Sequence, residues 1–507
     1  MKNPFENLCC RARNIFDLNQ RIINSLVYVS ISLLVILLLL YYYLRFQFDL
    51  VNVIPLGLYG LTYGLILFSF FYVLIQKGQV LYTEVDLWVF VFLFYNIILL
   101  PMSFAKYGMI EGLYAIKNYL TGMFLYFAVI LFFNKKRSQN IIKFITIICT
   151  VVSAIYLAEL TSVRFMSSET IASASGVDIV HSGGLFKYTA NLDRYALQKA
   201  PTGHGLSKSW SKSDTSLFVR LPGPLGHSNA TAFVIAIGSV LSFSLIVFGT
   251  HRRGSIIFFL LCLVALFWGC SRTNMLSSIM GISFVSIVGT RNKKIKTHQL
   301  VFFFIAALLL IVILILFKII DWSAYSQIFN WEQTLYTFRV IFSENILSEL
   351  WVKMTENPIA FVFGYGFAPV LPQTYISSLY NGYPMISDDT FFVQFLSQYG
   401  IVVSLMFFIF LFYSLWNSYR KCKQCNLKYF NSNLFGIAGV LAVIVASFLT
   451  FIHGGSLFRP QINPVIFILL GAYSVIIREG AMSAIHLGSF FALPISSFRQ
   501  IIKKFSA

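Results

Sequence analysis

Charged residues are scarce in this sequence, and hydrophobic residues are abundant. Only 11% of its 507 residues are Asp, Glu, Lys or Arg, whereas 58% are hydrophobic. A soluble globular chain carries about 25% charged residues, so this one has too little polar surface to fold in water. The shortage of charge therefore excludes a soluble globule and predicts an integral membrane protein.

Acidic residues are the scarcer of the two kinds of charge, with 19 against 38 basic ones and a formal net charge of +19. The segments predicted to face the cytoplasm hold about 23 of the bases and about 5 of the acids, so they carry 18 of those 19 net charges. Cytoplasmic loops of membrane proteins collect Lys and Arg. The excess therefore indicates cytoplasmic termini and is no sign of a nucleic-acid partner.

Several chemical signatures are missing. Neither of the two long outer loops described below contains any of the seven cysteines, so no disulfide framework is expected there. The sequence has no P-loop, dinucleotide-binding fingerprint or nucleophile elbow, which leaves nucleotide-driven chemistry without support. No His, Asp or Glu at ligand spacing joins the Asp388-Asp389 pair. We expect neither a cofactor nor a metal.

Long apolar runs recur along the chain. A helix rising about 1.5 Å per residue crosses a hydrocarbon core of about 30 Å in roughly 20 residues. Twelve runs are predicted to span: 25–44, 53–75, 87–104, 114–133, 141–160, 230–248, 255–270, 275–290, 299–320, 399–416, 433–451 and 462–477. The polar N-terminal segment has no small-residue cleavage site and predicts a retained anchor. The expected fold class is an all-α polytopic membrane protein of about 12 helices, one membrane-embedded domain over 1–507.

Two outer loops are much longer than the other connections, at 161–229 and 321–398. Loops of this length are uncommon unless they carry function or lack order. The second contains "EQTLYTFRVIFSENILSELWVKM", whose apolar residues recur at helical spacing and predict short helices on the outer membrane face. Residues 478–507 form a basic cytoplasmic tail. No repeated or broken helices mark two matching halves, which weakens a transporter interpretation.

Four arginines fall at the outer face: Arg220, Arg272, Arg339 and Arg459. A guanidinium group offers a planar fork of donors that matches phosphate oxygens and stays charged at any physiological pH. Such a cluster predicts a polyanion held against the membrane, although a single arginine at a helix end also reaches lipid headgroups or pairs with an acid. Arg272 lies in the tightest turn and is the strongest candidate. Lys117 is a further phosphate candidate, with the same headgroup alternative.

Asp388 and Asp389 stand just before a helix that is expected to continue into the tenth span. One carboxylate can cap the helix while the other acts as a general base. His227, in "GHSN", either caps the sixth span together with Ser228 and Asn229 or contributes to the site.

Four segments together resemble the O-antigen ligase and O-antigen polymerase superfamily of bacterial membrane glycosyltransferases. They are "RLPGPLGHSNATA", "CSRTNMLSSIMG", "FRVIFSENILSELWVKMTENPIAFVFGYGF" and "DDTFFVQFLSQYGIVVSL", in the family order over residues 215–475. In ligases the last element begins with a histidine about eleven residues before a glycine. Counting back from Gly400 puts Asp389 at that position, and this departure favours the polymerases over the ligases.

The resemblance implies a GT-C-like fold in the bacterial inner membrane, with the active site on the periplasmic side. It implies undecaprenyl-diphosphate-linked glycans as donor and acceptor, with Arg272 and Arg339 binding the diphosphate and Arg220 supporting them. Asp389, or its neighbour Asp388, would activate the acceptor hydroxyl. A chain-length regulator protein is a further candidate partner. The expected function is polymerisation of lipid-linked repeat units; a ligase and a flippase or exporter of lipid-linked glycan are the alternatives.

Overall fold

A computed structural model of the chain describes 22–40, 60, 64, 83–164, 223–225, 228–249, 252–269, 272–294, 296, 309, 351–352, 354–366, 370–371, 379–380, 383–384, 386–387, 391–453 and 462–482. These residues are helical apart from turns, helix ends and four two-residue strands. The predicted spans 53–75 and 299–320 lie outside the described residues, except for helical positions at 60, 64 and 309.

The described helices are numbered in chain order. They are α1 (Ile22–Leu40), α2 (Glu84–Tyr107), α3 (Met109–Phe132), α4 (Lys135–Arg164), α5 (Ser228–Phe248), α6 (Arg252–Trp268), α7 (Arg272–Arg291), α8 (Pro358–Phe363), α9 (Phe391–Tyr399), α10 (Ile401–Cys425), α11 (Leu427–Ser432), α12 (Leu434–His453) and α13 (Asn463–Met482). The strands β1 (Val370–Leu371) and β4 (Ile386–Ser387) pair in parallel, and β2 (Leu379–Tyr380) and β3 (Tyr383–Pro384) pair antiparallel.

Seven of the described helices are long and apolar enough to cross a membrane, namely α1, α2, α4, α5, α7, α10 and α13. The protein is thus a helical, membrane-spanning protein. Shorter apolar helical stretches run over Leu120–Phe132 and Leu434–Phe448. Described helices overlap all the predicted spans except the two named above, and the count of twelve stays a prediction.

Two helices form the centre of the bundle. In both α5 and α13, 89% of the span is buried, against 28% for α10. Helix α5 packs against α4, α6, α7 and α12, and α13 packs against α3, α4, α10 and α12. Small residues allow this close approach. A Cβ atom at Gly281 of α7 would lie 2.6 Å from Val240 Cγ2 of α5, and one at Gly471 of α13 would lie 3.0 Å from Val129 Cβ of α3.

The helix ends predicted to face the cytoplasm meet at one end of the bundle. Lys135 N at the start of α4 donates to Glu479 Oε1 near the end of α13 (2.8 Å), and Arg137 Nη2 donates to Ser25 Oγ near the start of α1 (3.0 Å). Gln139 Nε2 donates to Asn433 Oδ1 at the start of α12 (2.6 Å). We call this the basic end. The grouping agrees with the alternating orientation predicted from hydropathy and basic residues.

The helix predicted to continue into the tenth span is broken, so that prediction was wrong in its detail. Helix α9 ends at Tyr399, α10 begins at Ile401, and Gly400 between them has φ +79°. A Cβ atom at Gly400 would lie 2.3 Å from Val362 O and 2.7 Å from Gly364 N. Backbone from a distant part of the chain therefore occupies the space that a side chain would need.

The helices also extend past some predicted loop boundaries. Helix α4 continues to Arg164, past the expected start of the first long loop at 161. Helices α8 and α9 lie within the predicted second loop, 321–398, although α9 extends one residue beyond it. Helix α13 continues to Met482, so the segment assigned to the basic tail begins in helix.

Candidate functional site

The structure describes the surroundings of the predicted site residues more fully than the residues themselves. Arg272 is the first residue of α7, and Lys117 lies in the first half of α3; both are described as helical positions. The other six lie outside the described residues: Arg220, His227, Arg339, Asp388, Asp389 and Arg459. His227 directly precedes α5, and the aspartates fall between β4 and α9. Their roles stay predictions.

One tyrosine ring contacts two glycine turns, at Gly223 and Gly269, that lie close to Arg220 and Arg272 in the sequence. Tyr156 of α4 is 1% exposed. A Cβ atom at Gly223, three residues after Arg220, would lie 2.9 Å from Tyr156 Cδ2; one at Gly269, three residues before Arg272, would lie 2.6 Å from Tyr156 Cε1 and 3.0 Å from its Oη. Both turns therefore touch the same ring, and side chains larger than hydrogen are excluded at both contacts.

Hydrogen bonds also connect the starts of α5 and α7 to each other and to the Gly223 turn. Leu225 N donates to Thr231 Oγ1 of α5 at 3.4 Å, which ties the Gly223 turn to the helix that follows it. Asn274 Nδ2, two residues into α7, donates to Asn229 O at 3.4 Å. We call this region, defined by Tyr156, Gly223, Gly269 and Asn274, the Tyr156 end of the bundle.

The Tyr156 end lies across the bundle from the basic end. Tyr156 is 21 residues after Lys135 in one continuous helix, which corresponds to about 32 Å along its axis. That distance matches a hydrocarbon core of about 30 Å. The two turns thus lie near the opposite membrane surface from the basic residues.

A carboxylate that the sequence analysis did not select lies in the same region. Glu159 is three residues after Tyr156 on α4 and is 1% exposed. Ionisable residues within membrane helices are rare and are functional candidates by default. The signal was available in the sequence, as an acid near the end of the apolar run 141–160.

A backbone joint holds the helix that follows the predicted aspartates. Tyr365 N donates to Ser397 O (2.8 Å) and Gly366 N donates to Gln398 O (3.2 Å), which ties the segment after α8 to the end of α9. A Cβ atom at Gly364, where φ is +77°, would lie 2.2 Å from Gln398 O. We call the crossing of Gly364 and Gly400 the glycine joint.

Side chains of α2 fix the glycine joint to the bundle. Tyr95 Oη donates to Phe363 O (3.1 Å), and Tyr399 Oη donates to Asn96 Oδ1 (2.7 Å). Burial raises the pKa of the nearby Tyr365 phenol above its usual value, and the Glu356 carboxylate adds to the rise.

An apolar groove begins at α9 and extends between α2, α10, α12 and α13. Its cavity volume is about 90 Å³. Phe395 of α9 lies six residues after Asp389 and contacts Phe408 of α10, with ring centroids 5.2 Å apart. The lining is aromatic and aliphatic apart from Ser447 and Asn463. The groove therefore offers an apolar surface of aromatic rings and aliphatic side chains.

The basic end contains the other buried acid of note, and it is engaged in helix packing. Asp86 is 0% exposed and forms a capping box with Thr83 at the start of α2. Ser474 Oγ donates to Asp86 Oδ1 (2.6 Å), and Tyr126 Oη also donates to it. One carboxylate thus links α2, α3 and α13. In the described part of the chain, no three His, Cys, Asp or Glu residues are placed to hold a metal ion.

Neither protein-family models nor curated proteins matched this chain when it was compared with them. The class that the described residues define is that of a helical membrane protein. It has two polar regions, one at each end of the bundle, and an apolar groove lined in part by α9, the helix that follows the predicted aspartates in the sequence.

Proposed function

We propose that the chain is a membrane glycosyltransferase that joins undecaprenyl-diphosphate-linked oligosaccharide repeat units at the periplasmic face of the bacterial inner membrane. The observation that carries the proposal is the packing of the Gly223 and Gly269 turns against Tyr156. Gly223 follows Arg220 by three residues and Gly269 precedes Arg272 by three, so these contacts support one shared region for two arginines that are far apart in sequence. The resemblance of the surrounding segments to O-antigen polymerases supplies the reaction, a GT-C-like fold and twelve spans.

The proposed chemistry needs little beyond fixed positive charge and a base. The bond from the anomeric carbon to the carrier diphosphate breaks as the acceptor hydroxyl attacks, and negative charge builds on the departing diphosphate. Arginines that are already in place stabilise that charge most as the bond breaks. Asp389 accepts the hydroxyl proton, with Asp388 beside it, and Arg339, Arg459, Lys117 and His227 are the further contacts assigned to substrate.

The apolar groove supports a carrier with a long hydrocarbon chain. Phe395, at one end of it, follows the proposed base by six residues, and Trp88, near the start of α2, lies further toward the basic end. A carrier chain lying along the groove would have its diphosphate toward Phe395, which is close to Asp389 in the sequence. Holding donor and acceptor at one membrane edge also supplies the orientation that transfer between two lipid-linked substrates requires.

The test is a gel of surface polysaccharide and lipid-linked glycan from cells lacking the protein, complemented with the wild type or Asp389→Asn. A polymerase predicts that the long-chain ladder collapses to a single repeat unit attached to its acceptor, and that wild type alone restores it. Long polymer remaining on the carrier lipid would instead indicate a ligase. Single units trapped on the cytoplasmic side would indicate a flippase and overturn the enzyme assignment.

A further inference from the structure

The buried carboxylate of Glu159 has no place in the reaction proposed above. It is 1% exposed, on a helix that crosses the bundle. Taking a carboxylate out of water is costly, and proteins keep one in a membrane helix only when an opposite charge or several donors compensate it. A general base has to reach a bound hydroxyl, which such deep burial disfavours. A partner held within the protein is the better explanation.

Helical spacing relates the position of Glu159 to the contacts of Tyr156. Residues three apart lie on the same side of a helix, so Glu159 shares a side with Tyr156, about 4.5 Å further from the basic end. The ring of Tyr156 contacts Gly269. The chain turns there and starts α7 at Arg272. Following α4 beyond Tyr156 therefore leads toward this turn.

The distribution of positive charge also favours a partner for Glu159 at the start of α7. The start of a helix carries partial positive charge, so a carboxylate near the start of α7 is favourable even before any side chain is considered. The bases with described contacts, such as Lys135, Arg137 and Arg478, are at the basic end, about 30 Å away across the bundle. Arg272 is the basic residue closest in sequence to Gly269. Arg220 is the basic residue closest in sequence to Gly223, the other glycine that contacts Tyr156.

We propose that Glu159 is the positioning residue for Arg272. Its carboxylate supplies the counter-charge that fixes the cationic turn before the anionic substrate arrives. A preorganised cation needs no rearrangement as charge develops on the leaving group. The effect on catalysis rests on the proposed function, whereas the pairing itself does not.

A cross-linking experiment tests the pairing without reference to activity. Glu159→Cys and Arg272→Cys are combined in full-length protein whose seven native cysteines are replaced, with a protease site inserted between Arg164 and Arg220. We expect a short bifunctional thiol reagent to hold the two fragments together after cleavage. Glu159→Cys with Arg291→Cys, at the other end of α7, is the matched control and should separate. Separation of the 159–272 pair, or linkage of Glu159→Cys to Arg220→Cys in its place, overturns the proposal.

Donor titration then distinguishes positioning from simple structural support. Glu159→Gln keeps the shape and removes the charge, and we expect it to raise the KM for the diphosphate-linked donor on the order of tenfold or more. Glu159→Asp should restore part of the loss, and Glu84→Gln at the basic end should leave KM unchanged. An unchanged KM in folded Glu159→Gln overturns the proposal. If the thiols cross-link but the wild type does not use such a donor, the proposed function fails and the pairing stands.

Discussion

The two ends of the bundle are built by different means. At the basic end, charged and polar side chains bond to one another across helices, as in Asp86 with Tyr126 and Ser474, or Glu479 with the amide of Lys135. At the Tyr156 end, glycines pack against an aromatic ring and hold two backbone turns in place. A buried carboxylate thus ties three helices together at the basic end, whereas close packing of glycines against one ring ties two turns to α4 at the Tyr156 end.

The strongest way to break this comparison is to remove charge from each end of the same helix. Arg272→Ala should abolish polymer formation while the protein remains in the membrane, because the proposed reaction then loses a counter-charge for the departing diphosphate. Arg291→Ala, at the basic end of α7, should leave the polysaccharide ladder intact. A full ladder from the Arg272 variant would show that the Tyr156 end does not bind the donor.

The next largest effect is expected from a substitution in the glycine joint, which should lower the stability of the fold. Gly400→Ala places a methyl group 2.3 Å from Val362 O and requires φ +79° of an alanine. We expect it to lower the free energy of unfolding by at least ~2 kcal/mol, measured as loss of folded protein on heating in detergent. Gly254→Ala is the matched control, because nothing lies within 4 Å of a Cβ atom there. Equal stability of the two variants would refute the steric explanation.

Asp86→Asn tests whether the polar contacts at the basic end stabilise the fold. An amide at this position directs its N–H donors at Ser474, Tyr126 or the Thr83 amide, all of which donate now. We expect a loss of about 1.5–3 kcal/mol in unfolding free energy, with the donor KM of the folded fraction unchanged. Tyr126→Phe removes one of these bonds and should cost less. An altered donor KM without loss of stability would reverse the roles of the two ends.

Lys421→Ala should have the smallest effect. Lys421 Nζ lies 2.5 Å from Glu84 Oε1, but the lysine side chain is 54% exposed. Exposed pairs contribute about 0–1 kcal/mol because water and salt screen them, and Asn417 continues to donate to Glu84. Thermal unfolding of the variant should be nearly that of the wild type. A large loss would mean that the basic end depends on its surface pairs as well as its buried ones.

Hydropathy and basic-residue placement predicted the helical class and the relative direction of the helices. Both signals are local, because about 20 apolar residues are needed to cross a bilayer whatever they contact. The meeting of α1, α4, α12 and α13 at the basic end then follows from alternation.

The helix break at Gly400 and the contacts of Tyr156 depend on tertiary packing, which local sequence patterns do not reveal. The apolar sequence continues through Gly400, and its break becomes intelligible only when backbone from 362–364 is seen beside it. Tyr156 is one of 27 tyrosines, and its role depends on two turns that approach from α5 and α6. Glu159 is different, since an acid in an apolar run could have been selected from the sequence alone. The arginines and aspartates chosen for chemistry stay predictions.

The hydrogen bond between Ser474 and Asp86 also imposes an order on biosynthesis. The two residues are 388 positions apart, and a ribosome adding about 5–20 residues per second needs roughly 20–80 s to make that stretch. During this interval α2 is already available for insertion, while the α13 donor that contacts its aspartate does not yet exist. Assembly of the bundle around Asp86 is therefore completed by one of its last helices, and a chain truncated before Ser474 would lack that link between its two halves.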